Sequence, residues 1–228
     1  MKNRSTKLLF VAIFMIAIFA FSAISASAAE VSYESTVVYD GTATFEKVVE
    51  DALESGKNTI IELKADVTYS ADTKTFFNIG EQYASSVPTN TIKITSGTNV
   101  DASGNPYGFV FNSNTILNMY GNYVLDDIKL NLNANWTTGG CLQVPAGSLQ
   151  IGHPNTAAAG QPADWGNVYM PSQASIMGPN LSIYTGGEGA KTYRCVGAVF
   201  YGSNLTVGAP NIYFGGEAKV DILIGGIQ

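Results

Sequence analysis

The sequence predicts an all-β protein in which short strands repeat and stack as a solenoid. Two short sequence motifs, called the repeated phrases below, each occur twice in the C-terminal third. The motif at residues 147–152 recurs at 202–208, and the motif at residues 179–188 recurs at 210–217. Every copy is a short apolar–polar alternation that reaches a glycine, which indicates one brief strand followed by a turn. A unit this small cannot bury its own apolar face, so neighbouring units must complete the core for one another.

The composition of the 228-residue chain agrees with this class. Charged residues make up only 13% of the chain while glycine alone occurs 24 times, as expected of short strands separated by many turns. The length suits one domain with a substantial core. A β-sandwich also uses many short strands and is the alternative architecture, but the tandem phrases and an N-terminal helix favour the solenoid.

Residues 1–29 have the layout of a secretory signal peptide. Three basic residues precede an uninterrupted apolar run at 8–21, and small residues then supply a cleavage site near Ala28 and Ala29. The alternative, an uncleaved membrane anchor, is disfavoured because the run falls short of the ~20 residues that cross a bilayer. We therefore expect one mature domain of residues 30–228, secreted or held at the cell surface, with no membrane span.

The charge of the mature domain limits its partners. Removing the three basic leader residues moves the formal charge from −6 to −9, because no acidic residue precedes Glu30. A chain of this charge is a poor partner for nucleic acid or anionic lipid. The sequence therefore predicts no nucleic-acid partner.

The first element of the mature domain is an amphipathic helix near residues 44–55. Its apolar residues recur at the spacing of one helix face, and charged residues occupy the opposite face. Thr44 is placed to cap the first turn, and Gly56 to end the helix in a left-handed conformation. The apolar face consists of Phe45, Val48, Val49, Ala52 and Leu53.

Short strands follow this helix. Alternate residues are apolar at 92–94, 109–111 and 128–132, so one face of each strand is expected to turn inward. The segment 153–173 interrupts this rhythm with prolines, glycine and an alanine run, which predicts a loop projecting from the stack.

An amphipathic helix that leads into residues 59–63 (Thr-Ile-Ile-Glu-Leu), followed by strands punctuated with glycine and asparagine, resembles the start of right-handed parallel β-helix, or pectin-lyase-like, proteins. In that family the opening helix lies across the end of the coil and caps it. The glycine-rich half, with Pro-Asn-Leu-Ser-Ile-Tyr-Thr-Gly-Gly and Pro-Asn-Ile-Tyr-Phe-Gly-Gly, is similar to adhesin-like β-helix proteins that bacteria secrete or display at the cell surface. A coil of this kind would stack inward columns from Leu181 and Ile183, Leu205 and Val207, Ile212 and Phe214, and Ile222 and Ile224.

Export permits disulfides, and the two cysteines are Cys141 and Cys195. Each opens a strand-like run just before a copy of a repeated phrase. Equivalent positions of stacked units lie about 4.8 Å apart, so the two thiols are within bonding range if they belong to adjacent turns. The alternative is two small, buried core residues, and the sequence leaves both open.

The β-helix family includes polysaccharide lyases and hydrolases. Resemblance to polygalacturonases requires Asn-x-Asp, Asp-Asp, Gly-His-Gly and Arg-x-Lys in that order. The last two motifs are broken here, because proline follows His153 and no lysine follows Arg194. Under this enzyme alternative the catalytic candidates are Asp126, Asp127 and Arg194, since an inverting glycosidase needs two carboxyl groups. The favoured interpretation of the Asp126-Asp127 pair is a turn before a strand, in which aspartate bonds its own backbone.

No metal or cofactor site is predicted. His153 is the single histidine, and no cysteine or acidic cluster stands at ligand spacing beside it. Residues 101–105 carry oxygen atoms at alternate positions, which suits Ca²⁺, but they lack the spacing of an EF-hand, and a plain turn is favoured.

Aromatic side chains on the strands and turns are the remaining ligand-binding candidates, because flat exposed rings stack on sugars; ordinary β propensity is the competing explanation. The leading hypothesis is a non-enzymatic β-helix whose surface serves adhesion or glycan binding, with a polysaccharide or a host or cell-surface glycan as partner. A divergent or incomplete polysaccharide lyase or hydrolase, and a structural stalk, are the alternatives. The aromatic candidates are Trp136, Trp165, Tyr184, Tyr201 and Tyr213.

The C-terminal end lacks a recognisable cap. Beyond Ile224 only residues 225–228 remain, without a helix, a charge or a proline that would protect the last strand. We expect self-association through that end, or a natural chain that continues past Gln228.

Overall fold

The computed structural model describes residues 31–133, 140–153, 168–183, 195–202, 204–207 and 219–224. The chain divides into two compact units, Met1–Ser32 and Tyr33–Gln228. The predicted leader lies outside the described residues, and all the elements named below belong to the second unit. No helix in the described part has the length and apolar character needed to span a membrane.

Strands dominate the second unit. One α-helix, α1 (Phe45–Glu54), and one 3₁₀ turn (Glu81–Tyr83) are present among the described residues. The strands are β1 (Ser35–Tyr39), β2 (Thr59–Leu63), β3 (Val67–Tyr69), β4 (Thr75–Ile79), β5 (Thr91–Thr95), β6 (Gly108–Phe111), β7 (Thr115–Met119), β8 (Gly121–Asp126), β9 (Ile128–Asn131), β10 (Cys141–Gln143), β11 (Gly147–Ile151), β12 (Val168–Met177), β13 (Asn180–Ile183), β14 (Cys195–Gly202), β15 (Asn204–Val207) and β16 (Lys219–Ile224).

These strands form two parallel sheets. The seven-stranded sheet has the order β1-β2-β5-β8-β11-β13-β15. The nine-stranded sheet has the order β3-β6-β9-β12-β10-β7-β4, with β14 beside β12 and β16 beside β14. From β2 onward, the chain leaves the first sheet, adds one or two strands to the second, and returns. All-parallel pairing confirms the all-β class and differs from the antiparallel sheets of the β-sandwich alternative.

The register of the seven-stranded sheet aligns its apolar side chains. Ile61, Ile94, Leu125 and Ile151 pair strand to strand in one column, and all four are buried. The backbone positions of Ile183 and Val207 continue that column. A second column runs through Thr59, Ile92, Tyr123, Leu149, Leu181 and Leu205. The first repeated phrase therefore contributes both of its copies, in β11 and β15, to the same two columns.

The nine-stranded sheet contains a similar inward column. Phe77, Leu117, Leu142 and Ile176 are paired in register, and the backbone positions of Phe200 and Ile222 follow. Ile222 and Ile224 thus belong to this sheet, whereas Leu181 and Leu205 belong to the other. The other predicted inward pair, Ile212 and Phe214, lies outside the described residues.

The predicted loop at 153–173 requires a correction, because β12 begins at Val168. Val168 and Tyr169 pair with β9, and the later part of β12 pairs with β10. The strand accommodates Pro171 through a register shift between Met170 and Gln173 against β14. Proline cannot donate a ladder hydrogen bond, so it is tolerated where the pairing is irregular. Residues 168–173 of the predicted loop are therefore part of a strand, and residues 154–167 lie outside the described residues.

The amphipathic helix is confirmed at α1. The Thr44 side chain accepts a hydrogen bond from the backbone N–H of Lys47 at 3.4 Å, and Gly56 has a left-handed φ of 67°. Of the predicted apolar face, Phe45, Val49, Ala52 and Leu53 are buried and Val48 is partly buried. The apolar face joins the main core, in which the Phe45 ring lies edge-on to Tyr39 and Phe109.

Buried polar contacts hold α1 in position. The Tyr69 hydroxyl donates to Glu46 Oε1 at 2.7 Å, which links the first turn of the helix to β3. The Asn90 side-chain amide, just before β5, donates to the carbonyls of Ala52 and Lys57 at 3.1 Å each. The last carbonyls of a helix lack intrahelical hydrogen-bond donors. The Asn90 side chain, next to the start of β5, supplies a donor to this end of α1.

Close backbone approach explains one glycine of the repeated phrase. Gly147 at the start of β11 pairs with Gly121 at the start of β8, and a Cβ atom on Gly147 would lie 1.9 Å from the Gly121 carbonyl oxygen. Its φ of 108° also disfavours any other residue. The glycine that opens the phrase is therefore required by stacking.

The structure describes Cys141 as a free, buried thiol. Its register neighbours are Ile116 and Ser175, and Ser175 pairs in turn with Val199. Strand β12 therefore lies between Cys141 and the strand of Cys195, whose side chain is outside the described residues. Two strand spacings amount to about 9.6 Å, beyond the Cα separation of a disulfide, so the backbone does not favour the bond.

Candidate functional sites

The Asp126-Asp127 pair lies at the turn between β8 and β9, as predicted. Asp126 is the last residue of β8, and Asp127 adopts a left-handed φ of 44° before β9 begins at Ile128. The Asp127 backbone N–H donates to Asp126 Oδ1 at 3.0 Å. Aspartate tolerates left-handed backbone and bonds locally to its own chain, so the pair makes the corner.

Asp126 is also the centre of a charged cluster on the outer side of the seven-stranded sheet. Its Oδ2 atom lies 3.0 Å from Lys93 Nζ of β5 and 2.8 Å from His153 Nδ1, which follows β11. The carboxylate is only 1% exposed, whereas the lysine and histidine side chains are about a quarter exposed. Three neighbouring strands of one sheet thus deliver one residue each to this Asp126 cluster.

Two opposing effects act on the pKa of Asp126. Burial opposes ionisation and so raises the pKa of Asp126. The hydrogen bond with His153 and the positive charge of Lys93 lower this pKa by more than burial raises it, so the net pKa lies below the usual aspartate value. A carboxyl group with a lowered pKa is ionised at neutral pH. Asp126 is therefore unsuited to the role of protonated acid in glycoside cleavage.

The other requirement of the enzyme alternative is access to substrate. Asp126 Oδ1 accepts from the backbone and Oδ2 is occupied by Lys93 and His153, within a fully buried carboxylate. Asp127 is half-buried in the same turn. Arg194, the third candidate, lies outside the described residues. The described geometry therefore favours a structural role for the aspartate pair.

We expect the purified mature protein to release no sugar from pectin or polygalacturonate, because its buried aspartate is ionised and paired. A reducing-sugar assay, with ultraviolet detection of unsaturated products, measures both hydrolysis and lysis. Release that disappears in the double variant Asp126→Asn, Asp127→Asn would overturn this expectation.

A second ionic cluster surrounds Lys129 of β9. This side chain is largely buried, and its Nζ atom lies 2.8 Å from Asp66 Oδ2 and 3.7 Å from Asp101 Oδ2. Asp101 Oδ1 accepts the backbone N–H groups of Ser103 and Asn105 at 2.8 and 3.0 Å. Residues 101–105, considered above as a calcium site, therefore form a turn in which the Asp101 carboxylate already accepts backbone N–H groups and lies near Lys129. No group of three potential metal ligands occurs among the described residues.

A column of amides lies on the outer face of the nine-stranded sheet. Asn78, Asn118 and Gln143 pair in register on β4, β7 and β10, and we call these three residues the amide column. They alternate with the inward residues Phe77 and Leu117, which places them on the side away from the core.

An exposed aromatic ring lies beside the amide column. Phe76 is 55% exposed on β4, two residues before Asn78 and on the same face, and Lys74 Nζ lies 5.7 Å from its ring centroid. Its register neighbours are Ile116 and then Cys141, which are both buried. An apolar strip therefore runs parallel to the amide column.

Of the five aromatic residues predicted to bind ligand, only Tyr201 falls within a described strand. Its backbone in β14 pairs with Met177, which pairs with Gln143, so the Tyr201 position extends the amide column. The other four, Trp136, Trp165, Tyr184 and Tyr213, lie outside the described residues.

Sequence reasoning missed Lys93 and His153 as partners of Asp126, and it missed the amide column. The alternation at residues 92–94 already placed Lys93 on an outward face. Its contact with Asp126 depends on the pairing of Thr95 with Asp126, and no local pattern reports that register. Likewise, Asn78 and Asn118 are 40 residues apart and become neighbours only through sheet pairing.

No family model, curated protein or solved structure matches this chain. The arrangement of its own residues is therefore the basis for assigning a function.

Proposed function

We propose that the chain is an exported, non-enzymatic protein with the right-handed parallel β-helix fold, and that its outer surface serves adhesion through glycan binding. The regular return of the chain to the seven-stranded sheet supports a coil, as do the apolar columns in both sheets. Helix α1, with its buried apolar face, is the cap of the N-terminal end in this proposal.

The proposed export rests on the leader at residues 1–29 and on the composition. A basic start, an apolar run and a small-residue cleavage site are the three parts of a signal peptide. The resemblance of the glycine-rich half to adhesin-like bacterial proteins supports display at the cell surface. In this proposal the leader is cleaved near Ala28 and Ala29, and the mature chain is secreted or held at the cell surface.

The observation that carries the glycan proposal is the pairing of the amide column with the exposed ring of Phe76. A sugar ring presents apolar C–H groups on one face and hydroxyl groups at its edge. The Phe76 ring offers an apolar surface, and the exposed Asn78 and half-buried Gln143 offer hydrogen-bonding amides on the two sides of the buried Asn118. In-register pairing sets the three amides in one line across neighbouring strands, and a linear array suits an extended polysaccharide.

A polysaccharide lyase or hydrolase of the same fold is the second candidate, and the order of its aspartate and histidine motifs favours it. The contact between Asp126 and His153 brings two of those motifs together at 2.8 Å. The burial and ionisation of Asp126 make it the weaker candidate. A structural stalk would need no ligand at all.

An immobilised-glycan screen of residues 30–228 tests the proposal. We expect binding to at least one glycan class, and a roughly tenfold loss of affinity in Phe76→Ala because the ring loses its contact with the sugar. Val100→Ala, which truncates another exposed apolar side chain, is the matched control and should leave binding unchanged. Failure to retain any glycan would favour the stalk, and equal losses in both variants would remove Phe76 from the site.

A further inference from the structure

The hydrogen bonds of the amide column all run in one direction, and the first acceptor is the neighbouring Glu81. Asn78 Nδ2 donates to Glu81 Oε2 at 3.1 Å, and Asn118 Nδ2 donates to Asn78 Oδ1 at 2.8 Å. Each amide therefore donates toward the carboxylate and turns its oxygen toward the next strand. We call this chain of three groups the amide relay.

Glu81 determines this direction. A carboxylate oxygen only accepts, so Asn78 must present its NH₂ group to Glu81 and its carbonyl oxygen to Asn118. Asn118 must then present its own NH₂ group to Asn78. The orientation of both amides therefore follows from the acceptor at the start of the relay.

The relay ends in an unsatisfied acceptor. Asn118 is only 9% exposed, and its Oδ1 atom is buried without a hydrogen-bond partner among the described residues. A buried acceptor without a donor is destabilising, so this atom favours any group that can donate to it. Its neighbour in register, Gln143, is half-buried and directs its Nε2 atom toward the sulfur of Met177 at 3.5 Å, which is a weak acceptor.

Gln143 extends the relay without changing its direction. If its NH₂ group turns from the Met177 sulfur to Asn118 Oδ1, the Gln143 carbonyl oxygen becomes the outer end. If Gln143 instead moves aside, Asn118 Oδ1 itself is uncovered. The group offered to a ligand is an amide oxygen in both arrangements, and it requires a donor.

We propose that the amide relay makes this face selective for neutral, hydroxyl-donating saccharides over uronate saccharides, an inference that rests on the proposed glycan function. A sugar hydroxyl can donate to the terminal amide oxygen, whereas the carboxylate that replaces the hydroxymethyl group of a uronate only accepts, so each uronate ring has one donor fewer to offer. The negative formal charge of the chain and the Glu81 carboxylate also oppose a polyanionic ligand. The positive charge of Lys74, whose Nζ atom lies 5.7 Å from the Phe76 ring centroid, attracts a uronate and so acts against this selectivity.

Reversing the relay tests the inference. In Glu81→Lys the ammonium group donates, so Asn78 must turn its oxygen toward residue 81 and its NH₂ group toward Asn118. Asn118 then accepts from Asn78 and presents an NH₂ donor at the outer end. We expect the ratio of affinities for neutral gluco-oligosaccharides and for oligogalacturonates of equal length to fall by about tenfold.

Glu54→Lys is the matched control, because it makes the same charge change at an exposed residue of α1. Its affinity ratio should remain close to that of the unaltered protein. An equal fall in both variants would assign the effect to net charge and overturn the relay. Binding of glycans with a preference for oligogalacturonate in the unaltered protein would overturn the inference and leave the proposed function standing. Absence of all glycan binding would overturn both.

Side-chain amide NMR provides a readout that does not depend on a ligand. The Asn118 NH₂ signals should exchange slowly with solvent in the unaltered protein, because that group is buried and donates to Asn78. In Glu81→Lys the slowly exchanging NH₂ group should become that of Asn78. An unchanged exchange pattern in a folded Glu81→Lys protein would contradict the relay.

Discussion

Val49→Asp is expected to lower the free energy of unfolding by roughly 3–5 kcal/mol, which is a fall of about 10 °C in Tm for a domain of this size. Val49 is 0% exposed on the apolar face of α1 and belongs to the main core. A carboxylate there lies among apolar core side chains and must either remain charged in that environment or take up a proton. Both outcomes weaken the folded state.

Thermal and urea unfolding of the mature domain measure this effect, with Val38→Asp as the matched control. Val38 lies on β1 and is 44% exposed, so the same substitution there should cost less than about 1 kcal/mol. Equal stability of Val49→Asp and the unaltered protein would mean that α1 does not dock in solution. The proposed capping of the β-helix would then fail as well.

Asp126→Asn is expected to lower the free energy of unfolding by roughly 2–3 kcal/mol at pH 7. The substitution keeps the shape of the side chain but removes the charge that pairs with Lys93 and His153, and it sets an amide NH₂ or a neutral oxygen against those groups. Asp127→Asn is the matched control in the same turn. Asparagine also tolerates the left-handed φ of 44°, so its cost should be small.

The cost of Asp126→Asn should depend on pH in a defined direction. Because the folded-state pKa of Asp126 is lowered, its contribution to stability is present above the unfolded-state pKa near 3.9 and is lost as the pH falls through the folded value. The stability difference between the two proteins should therefore shrink as the pH falls below about 4 and through the folded-state pKa of Asp126. A difference that grows below about pH 4 would exclude a charged Asp126 in the folded protein.

Periodicity was informative where the segment is long or strictly alternating. The apolar spacing from Phe45 to Leu53 located α1 within a residue or two, because one helix face must bury all of those side chains. Alternation likewise identified the inward residues of β5, β6 and β9. In contrast, β8 was missed because the outward position at Val124 is also apolar, so Tyr123, Val124 and Leu125 form a run without alternation.

The sequence by itself determined that the chain is β-rich, that it begins with one amphipathic helix, and that the residues from 147 onward repeat a strand and a glycine turn. These properties depend on neighbours within about ten residues, where φ preference and side-chain period act. Only the tertiary structure decided that Lys93 meets Asp126, that Asn78 donates to Glu81 and accepts from Asn118, and that β12 lies between the two cysteine-bearing strands. Parallel pairing joins residues that are between 21 positions apart, as for Gly108 and Lys129, and 42 positions apart, as for Val67 and Phe109. The connections vary in length, and the register is selected by the packing of the whole core, which no short stretch of sequence encodes.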